Sequence, residues 1–280
     1  MIESALYIVA TPIGNLEDVS KRAISVLEAA TLIAAEDTRH SKIFLNAIGV
    51  VGKRMLSCHD HNEEERVELI VKEIEQGGIV ALISDAGTPL ICDPGFKVVR
   101  ELVKRGIKVS PIPGPSAVIT ALSASGLPTD EFVFKGFLPV KDKELTEALA
   151  LLKNVKSTTV FYESPKRILK TVKLMGELIP NRDLVLCREL TKAFESFYHL
   201  KTQEAFDFLA QDANYTKGEF VVLVGPSEEQ EADEVSPKAY EALESLVEFV
   251  PAKVACQVVS KLTGVSKNAL YDKALALKNS

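Results

Sequence analysis

At 280 residues, 46% hydrophobic and 26% charged, with a formal net charge of −6, the chain is long enough for two core-bearing domains and too apolar to be disordered. The acidic total argues against a uniformly basic nucleic-acid surface, and the lack of an apolar run of spanning length argues against a membrane protein. Cys58, Cys92, Cys187 and Cys256 lie far apart without metal-ligand spacing, so they are expected as core or near-core residues in a reducing compartment. The start, which enters an apolar run without a basic leader, adds to the expectation of a cytoplasmic protein.

In chain order, apolar runs and helical periodicities alternate at Ala5 to Ala10, Val19 to Ala29, Leu32 to Ala35, Ser41 to Ile48, Glu63 to Gln76 and Ile79 to Ile83. That rhythm predicts a mainly parallel α/β sheet. A helix over Pro94 to Lys104, a strand over Lys108 to Pro111 and a small-residue helix over Ser116 to Ala124 follow. From Phe132 strands succeed one another more often: Phe132 to Phe134, Thr158 to Tyr162, Leu184 to Arg188, Phe194 to His199 and Glu219 to Val224. Helices are predicted at Glu144 to Lys153, Arg167 to Leu178 and Thr202 to Ala210, giving a second, mixed sheet.

Five acids crowd the stretch 227–234, after which residues 235–280 carry six lysines against four acids. The net charge is therefore partly a linker property. Helices are predicted at Pro237 to Phe249, Ala252 to Leu262 and Lys267 to Leu277, with Gly264 as a stop and Ser266 as an N-cap. Such a helix-turn-helix with exposed lysines suits either nucleic acid or a cap that packs on protein. The expected organisation is an α/β domain at 1–115, a second at 116–226, the linker at 227–234 and a helical domain at 235–280.

Three of the predicted strands end in turns of small, polar and cyclic residues. Ile79 to Ile83 runs into Ser84-Asp-Ala-Gly-Thr-Pro-Leu-Ile-Cys-Asp-Pro-Gly, the first strand into Thr11-Pro-Ile-Gly-Asn, and the strand at Lys108 into Pro113-Gly-Pro-Ser-Ala. Glycine there permits close backbone approach, and loops past the carboxyl ends of parallel strands converge on one crevice. Gly14 and Gly114 also have an ordinary explanation as turn residues. Carboxylates, an arginine and imidazoles stand at Glu36-Asp-Thr-Arg-His and His59-Asp-His. Glu36 or Asp37 is a candidate base or orienter, Arg39 a clamp for phosphate or carboxylate, and His61 a further proton acceptor. Helix capping by Glu36 and Asp37, or a structural pair with Arg39, explains the first segment equally. A lone His59-x-His61 pair is weak evidence for a metal, and none is expected.

Thr11-Pro-Ile-Gly-Asn-Leu, Ala34-Ala-Glu-Asp-Thr-Arg-His, Ser84-Asp-Ala-Gly-Thr-Pro-Leu-Ile, Pro113-Gly-Pro-Ser-Ala, Gly136-Phe-Leu-Pro, Phe161-Tyr-Glu-Ser-Pro, Arg188-Glu-Leu-Thr-Lys and Lys217-Gly-Glu-Phe stand in one order. In that order the chain resembles the ribosomal RNA small-subunit methyltransferase I family of the tetrapyrrole methylase superfamily, over its whole length. The resemblance implies two α/β domains of the class III methyltransferase type, with an S-adenosylmethionine cleft between them and a small C-terminal helical domain. It also implies a homodimer, and 2'-O-methylation of a cytidine ribose, cytidine 1402, in the decoding region of 16S rRNA. A small-molecule methylase of the tetrapyrrole type and a non-catalytic ribosome-binding protein are the competing classes.

With the resemblance, the cofactor set is expected at Pro12, Asp85, Ala86, Gly87, Thr88, Ser116, Ala117 and Leu138. Contacts to 16S rRNA or the small ribosomal subunit are expected from Lys141, Lys143, Glu163, Lys166, Arg167, Arg188 and Lys192, which position RNA without reading its sequence. Where many relatives carry an arginine-rich loop after Gly-Phe-Leu-Pro, this chain has lysines offset by acids at Lys141 to Glu147, which predicts a weaker grip. A glycine that relatives often place near Leu200 is missing, which predicts a local change in the strand or turn.

Overall fold

Short apolar runs between turn residues become the strands of two five-stranded sheets in the computed structural model, which describes residues 2–60, 62–227 and 235–278. The first half forms β1 (Ala5–Val9), α1 (Lys21–Ala29), β2 (Leu32–Ala35), α2 (Thr38–Ala47), β3 (Met55–Ser57), α3 (Glu63–Glu75), β4 (Ile79–Ile83), α4 (Phe96–Lys104), β5 (Val109–Ile112) and α5 (Ala117–Ser125). Its strands are all parallel, in the order β3-β2-β4-β1-β5. Alternate side chains serve two cores: Tyr7, Val9, Ile33 and Ala81 pack with α1, while Leu6, Ile8, Val80 and Leu82 pack with α3 and α4. Helices on both faces explain why β1 and β2 are buried at every position.

The second half forms β6 (Phe132–Phe137), α6 (Asp142–Ala150), β7 (Thr158–Glu163), α7 (Ile168–Leu178), β8 (Asp183–Arg188), β9 (Ser196–Lys201), α8 (Ala205–Ala210) and β10 (Phe220–Val224). The order is β6-β7-β10-β8-β9, with β6 and β7 parallel and the other pairs antiparallel, so this sheet is mixed. One face packs α6, α7 and α8. The other takes Val118, Ala121 and Leu122 of α5 against Val160, Val185 and Val221, so α5 joins the two sheets. Both sheets belong to one compact unit, Met1–Ser227.

The second unit, Glu228–Ser280, holds α9 (Pro237–Val247), α10 (Ala252–Thr263) and α11 (Lys267–Lys278) around a core of its own that includes Leu243, Cys256, Val259 and Leu270. Gly264, at φ 76°, ends α10, and Ser266 accepts from the Ala269 N–H at 3.2 Å, as the sequence predicts. Of the acidic stretch, residues 228–234 lie outside the described residues.

Several details depart from the sequence reading. The edge strand β3 was not anticipated, because three half-buried residues leave no periodic trace. The helix expected from Thr202 starts at Ala205, and the one expected to reach Lys153 becomes a 3-10 turn at Leu151–Asn154. Around Leu200, β9 pairs with β8 over six consecutive residues. Cys58, Cys187 and Cys256 are buried, but Cys92 is exposed.

Candidate active site

The three strand-end loops meet. Thr11 and Gly87 exchange backbone hydrogen bonds of 2.9 and 3.0 Å, tying the loop after β1 to the loop after β4, and the Thr88 hydroxyl donates to the Pro115 carbonyl at 3.0 Å beyond β5. Gly87 sits at φ 79°, and a Cβ there would lie 3.3 Å from Ile13 Cγ2. At Gly114 a Cβ would lie 2.8 Å from the Ala10 Cβ. Glycine is thus required for these loops to close on one another.

Above them lies a cavity of about 440 Å³. The first half supplies Ile13, Ala86, Gly87, Thr88, Ile91, Cys92, Asp93, Ser116 and Ala117; the second supplies Phe137, Tyr162, Glu163, Ser164, Pro165, Leu190, Glu219, Phe220 and Val221. The β4 loop continues into the wall through a contorted backbone, with Leu90 at φ 74°, Cys92 at φ 68° and Gly95 at φ 117°. Left-handed non-glycine residues cost free energy and persist only where the surroundings fix them. Gly136 at φ 66° lets the wall approach from the second sheet, since a Cβ there would lie 3.1 Å from Cys92 Sγ.

Of the predicted cofactor residues, Ala86, Gly87, Thr88, Ser116 and Ala117 line the cavity, whereas Pro12, Asp85 and Leu138 do not. Leu138 turns its side chain into the second core, and its carbonyl accepts from Arg167 at 2.9 Å; its neighbour Phe137 forms the wall. The Asp85 carboxylate instead accepts from the Asp37 N–H at 3.4 Å and lies 3.5 Å from His40 Nδ1. The Ile91 to Asp93 wall lies in the turn-rich segment that the sequence singles out, although these three residues were not among the expected contacts.

The acid-base candidates divide. Asp37 caps α2, accepting from Arg39 N at 2.8 Å, and forms a two-point pair with the Arg39 guanidinium at 3.2 and 2.8 Å. Those bonds hold its carboxyl far below the usual carboxylate range. Arg39 is 90% exposed. Glu36 is half-buried, and burial followed by the charges of Asp85 and Asp93 pushes its carboxyl up. None of these three lines the cavity. His61 lies outside the described residues. Asp93, missed by the sequence reading, does line it; burial first, then Asp85 and Asp60, push its carboxyl up against a hydrogen bond from Ser84.

Two of the expected RNA contacts, Glu163 and Arg167, have partners within the protein. Glu163 is buried, accepting from Thr171 Oγ1 at 2.7 Å and Ser164 N at 2.8 Å, with Arg167 Nε at 3.3 Å. The Arg167 guanidinium is spent on this pair and on the carbonyls of Leu138 and Pro139 at 2.9 and 2.8 Å. A buried carboxylate needs such partners, so the pair is scaffolding for the cavity wall. Arg188 donates to the carbonyls of Lys217 at 2.6 Å and Phe194 at 3.3 Å, and Lys192 bridges Glu189 and Glu219 at 2.9 and 2.8 Å. Lys141, Lys143 and Lys166 are exposed, the first two beside Glu144 and Glu147.

The cavity fits an adenosyl amino acid. Its walls are mainly apolar, with Ile13, Ile91, Phe137 and Leu190, and its polar groups gather in the Ala86 to Thr88 backbone and at the start of α5, where Ser116 makes no side-chain cap bond. A few polar groups set in an apolar pocket of this size is the usual design of a cofactor site. Among the described residues no three His, Cys, Asp or Glu side chains gather to hold a metal, and no helix is long and apolar enough to cross a membrane.

Residues 5–205 match the family described as Tetrapyrrole (Corrin/Porphyrin) Methylases, and residues 233–278 match the RsmI C-terminal HTH domain. The chain is 46% identical over 271 residues to the Ribosomal RNA small subunit methyltransferase I of Pasteurella multocida (strain Pm70), covering 96% of each. It is 44% identical over 274 residues to the protein of that name from Escherichia coli O157:H7, covering 98% of this chain and 95% of the relative. Among solved structures it is similar to uroporphyrin-III C-methyltransferase from Thermus thermophilus complexed with S-adenosyl homocysteine, with TM-score 0.51 and 17% identity over 79% of this chain and 97% of the other. At that identity the likeness concerns the fold alone.

Proposed function

Because the chain belongs to the ribosomal RNA small subunit methyltransferase I family of the tetrapyrrole methylases, we propose that it transfers a methyl group from S-adenosylmethionine to 16S rRNA, at the ribose 2'-hydroxyl of the decoding-region cytidine. The observation that carries this reading is the cavity, which closes only because loops of the first sheet and strands of the second meet around it. When bound, S-adenosylmethionine supplies a methyl group already activated on a sulfonium. The Ala86 to Thr88 backbone and the Ser116–Ala117 turn hold that ligand, while Ile13, Ile91, Phe137 and Leu190 exclude water around it. Fixing donor and acceptor in line removes much of the entropic part of the barrier.

RNA approaches across the exposed Lys141, Lys143 and Lys166 of the second half, whose phosphate contacts orient the strand while the target nucleotide is splayed toward the cavity. The acidic pair partners Glu144 and Glu147 limit this grip, in keeping with an assembled small subunit whose shape carries much of the specificity. The helical unit at 235–278 carries lysines that can make phosphate contacts of their own, and the protein acts as a homodimer. We place the protein in the cytoplasm, where ribosomal subunits are made.

The test is transfer from labelled S-adenosylmethionine to small subunits from cells lacking the protein, followed by mapping of the labelled nucleotide and atom. A single 2'-O-methylcytidine near the decoding centre is the expected product. Cofactor binding with no label in subunits or free rRNA would move the reading to a small-molecule methylase.

A further inference from the structure

Five ionisable side chains line the cavity: Cys92, Asp93, Tyr162, Glu163 and Glu219. Four of them are committed or ill-suited to accept a proton. Glu163 is held by Thr171, Ser164 and Arg167, and Glu219 by Lys192 at 2.8 Å. Burial pushes the Tyr162 hydroxyl up to about 12 and raises the Cys92 thiol, so both stay protonated near neutrality. Asp93 alone among the five is a carboxylate that no lysine, arginine or histidine nitrogen among the described residues pairs with; the nearby Ser84 side chain only partly offsets the upward push of burial on it. Resting on the reading of the cavity as a methyl-transfer site, we propose that Asp93 is the general base that takes the proton of the attacking ribose 2'-hydroxyl.

The surroundings make Asp93 a better base than an ordinary aspartate. Glu36 after β2, Asp60 after β3 and Asp85 after β4 all bring negative charge toward it, Cys92 adjoins it in the loop, and Tyr162 of β7 faces it from the second sheet. Burial and these acids favour its protonated form, which is the same as raising its affinity for a proton. A base tuned toward neutrality takes a larger share of the proton in the transition state. The contorted backbone, with Leu90 and Cys92 before it and Gly95 after it in the left-handed region, fixes the direction in which this side chain is presented.

The step balances without a further reagent. The hydroxyl proton passes to an Asp93 oxygen as the ribose oxygen bonds the methyl carbon; the electron pair of the breaking methyl–sulfur bond stays on sulfur, which becomes a neutral thioether. Asp93 then releases its proton to water.

The experiment compares the full-length wild type with Asp93→Asn, using single-turnover transfer to small subunits at saturating S-adenosylmethionine over about pH 5 to 9, with S-adenosylhomocysteine affinity measured by calorimetry. The expected result is a rate lower by about 10² to 10⁴, the range for loss of a general base, with affinity for S-adenosylhomocysteine changed less than about threefold. The wild-type rate rises on the acid side, and the variant loses that limb. The wild-type profile, carried down as far as the protein stays folded, serves even where the variant folds poorly, since an acid limb no higher than the ordinary aspartate range contradicts a base of raised basicity. An Asp93→Asn rate within about threefold of an active wild type overturns the proposal, as does weaker binding with an intact saturated rate, which would make Asp93 a ligand anchor. A wild type that binds S-adenosylhomocysteine but labels no RNA overturns the functional reading itself, and the proposal with it.

Discussion

The turns after β2 and β4 leave neighbouring parallel strands, yet they spend their polar residues differently. After β2, Asp37 and Arg39 neutralise each other at the start of α2, and the arginine stands out in solvent. After β4, small residues and a contorted backbone carry Ala86, Gly87, Thr88 and Asp93 into the cavity wall, with no cation paired to Asp93 among the described residues. The more conspicuously charged segment is the one that satisfies itself. A charge that completes a local cap and ion pair is stabilised where it stands, whereas one held half-buried beside like charges is costly and has a use only when a substrate arrives.

The largest expected effect comes from breaking the β4 turn. Gly87→Val places a branched side chain at φ 79° against Ile13, and the strain should weaken S-adenosylhomocysteine binding by roughly a hundredfold in calorimetry. Next is the far end of the same loop, where the buried Glu63 carboxylate accepts from Gly95 N at 2.9 Å and Lys97 N at 3.3 Å and supplies the cap that α4 lacks. Glu63→Ala leaves those donors unmet and should cost about 1–3 kcal/mol in denaturant unfolding, with Glu63→Gln recovering part of it because an amide oxygen still accepts.

A smaller effect has the opposite sign for stability. Asp93 and Glu36 have raised folded-state values, so the folded protein holds their protons more tightly than the unfolded chain, and their ionisation costs stability as pH climbs from the ordinary carboxylate range through the raised values. Asp93→Asn should therefore raise the thermal midpoint at neutral pH and leave it nearly unchanged at about pH 4. Smallest on catalysis is Asp37→Ala: the α2 cap is lost and the thermal midpoint falls, but methyl transfer should stay within about threefold of wild type. A collapse of transfer in that variant with an unaltered thermal midpoint would reverse the comparison between the two turns.

The strand runs of both sheets were legible because each is a short apolar segment between turn formers, as at Ile79 to Ile83, and the convergence of three loops followed from the parallel order of their strands. The second wall was not legible. Phe137, Tyr162, Leu190 and Val221 are far apart in sequence and become neighbours only when β6, β7, β8 and β10 take their order in the mixed sheet. Glu163 and Arg167 stand four residues apart, which shows two charges at a helix start but says nothing of burial; folding places the carboxylate beside Thr171 inside the protein. Asp37 was readable as cap or base, and only the geometry of Arg39 separates the two.

The most direct test of the account is photochemical crosslinking of labelled S-adenosylmethionine to the intact protein, followed by peptide mapping. Label in the segments 84–93, 134–137 or 162–165 is the predicted result, because these carry the β4 loop and the facing wall of the second sheet. Label confined to 36–40, or to the helices of 235–278, would contradict the cavity as the cofactor site.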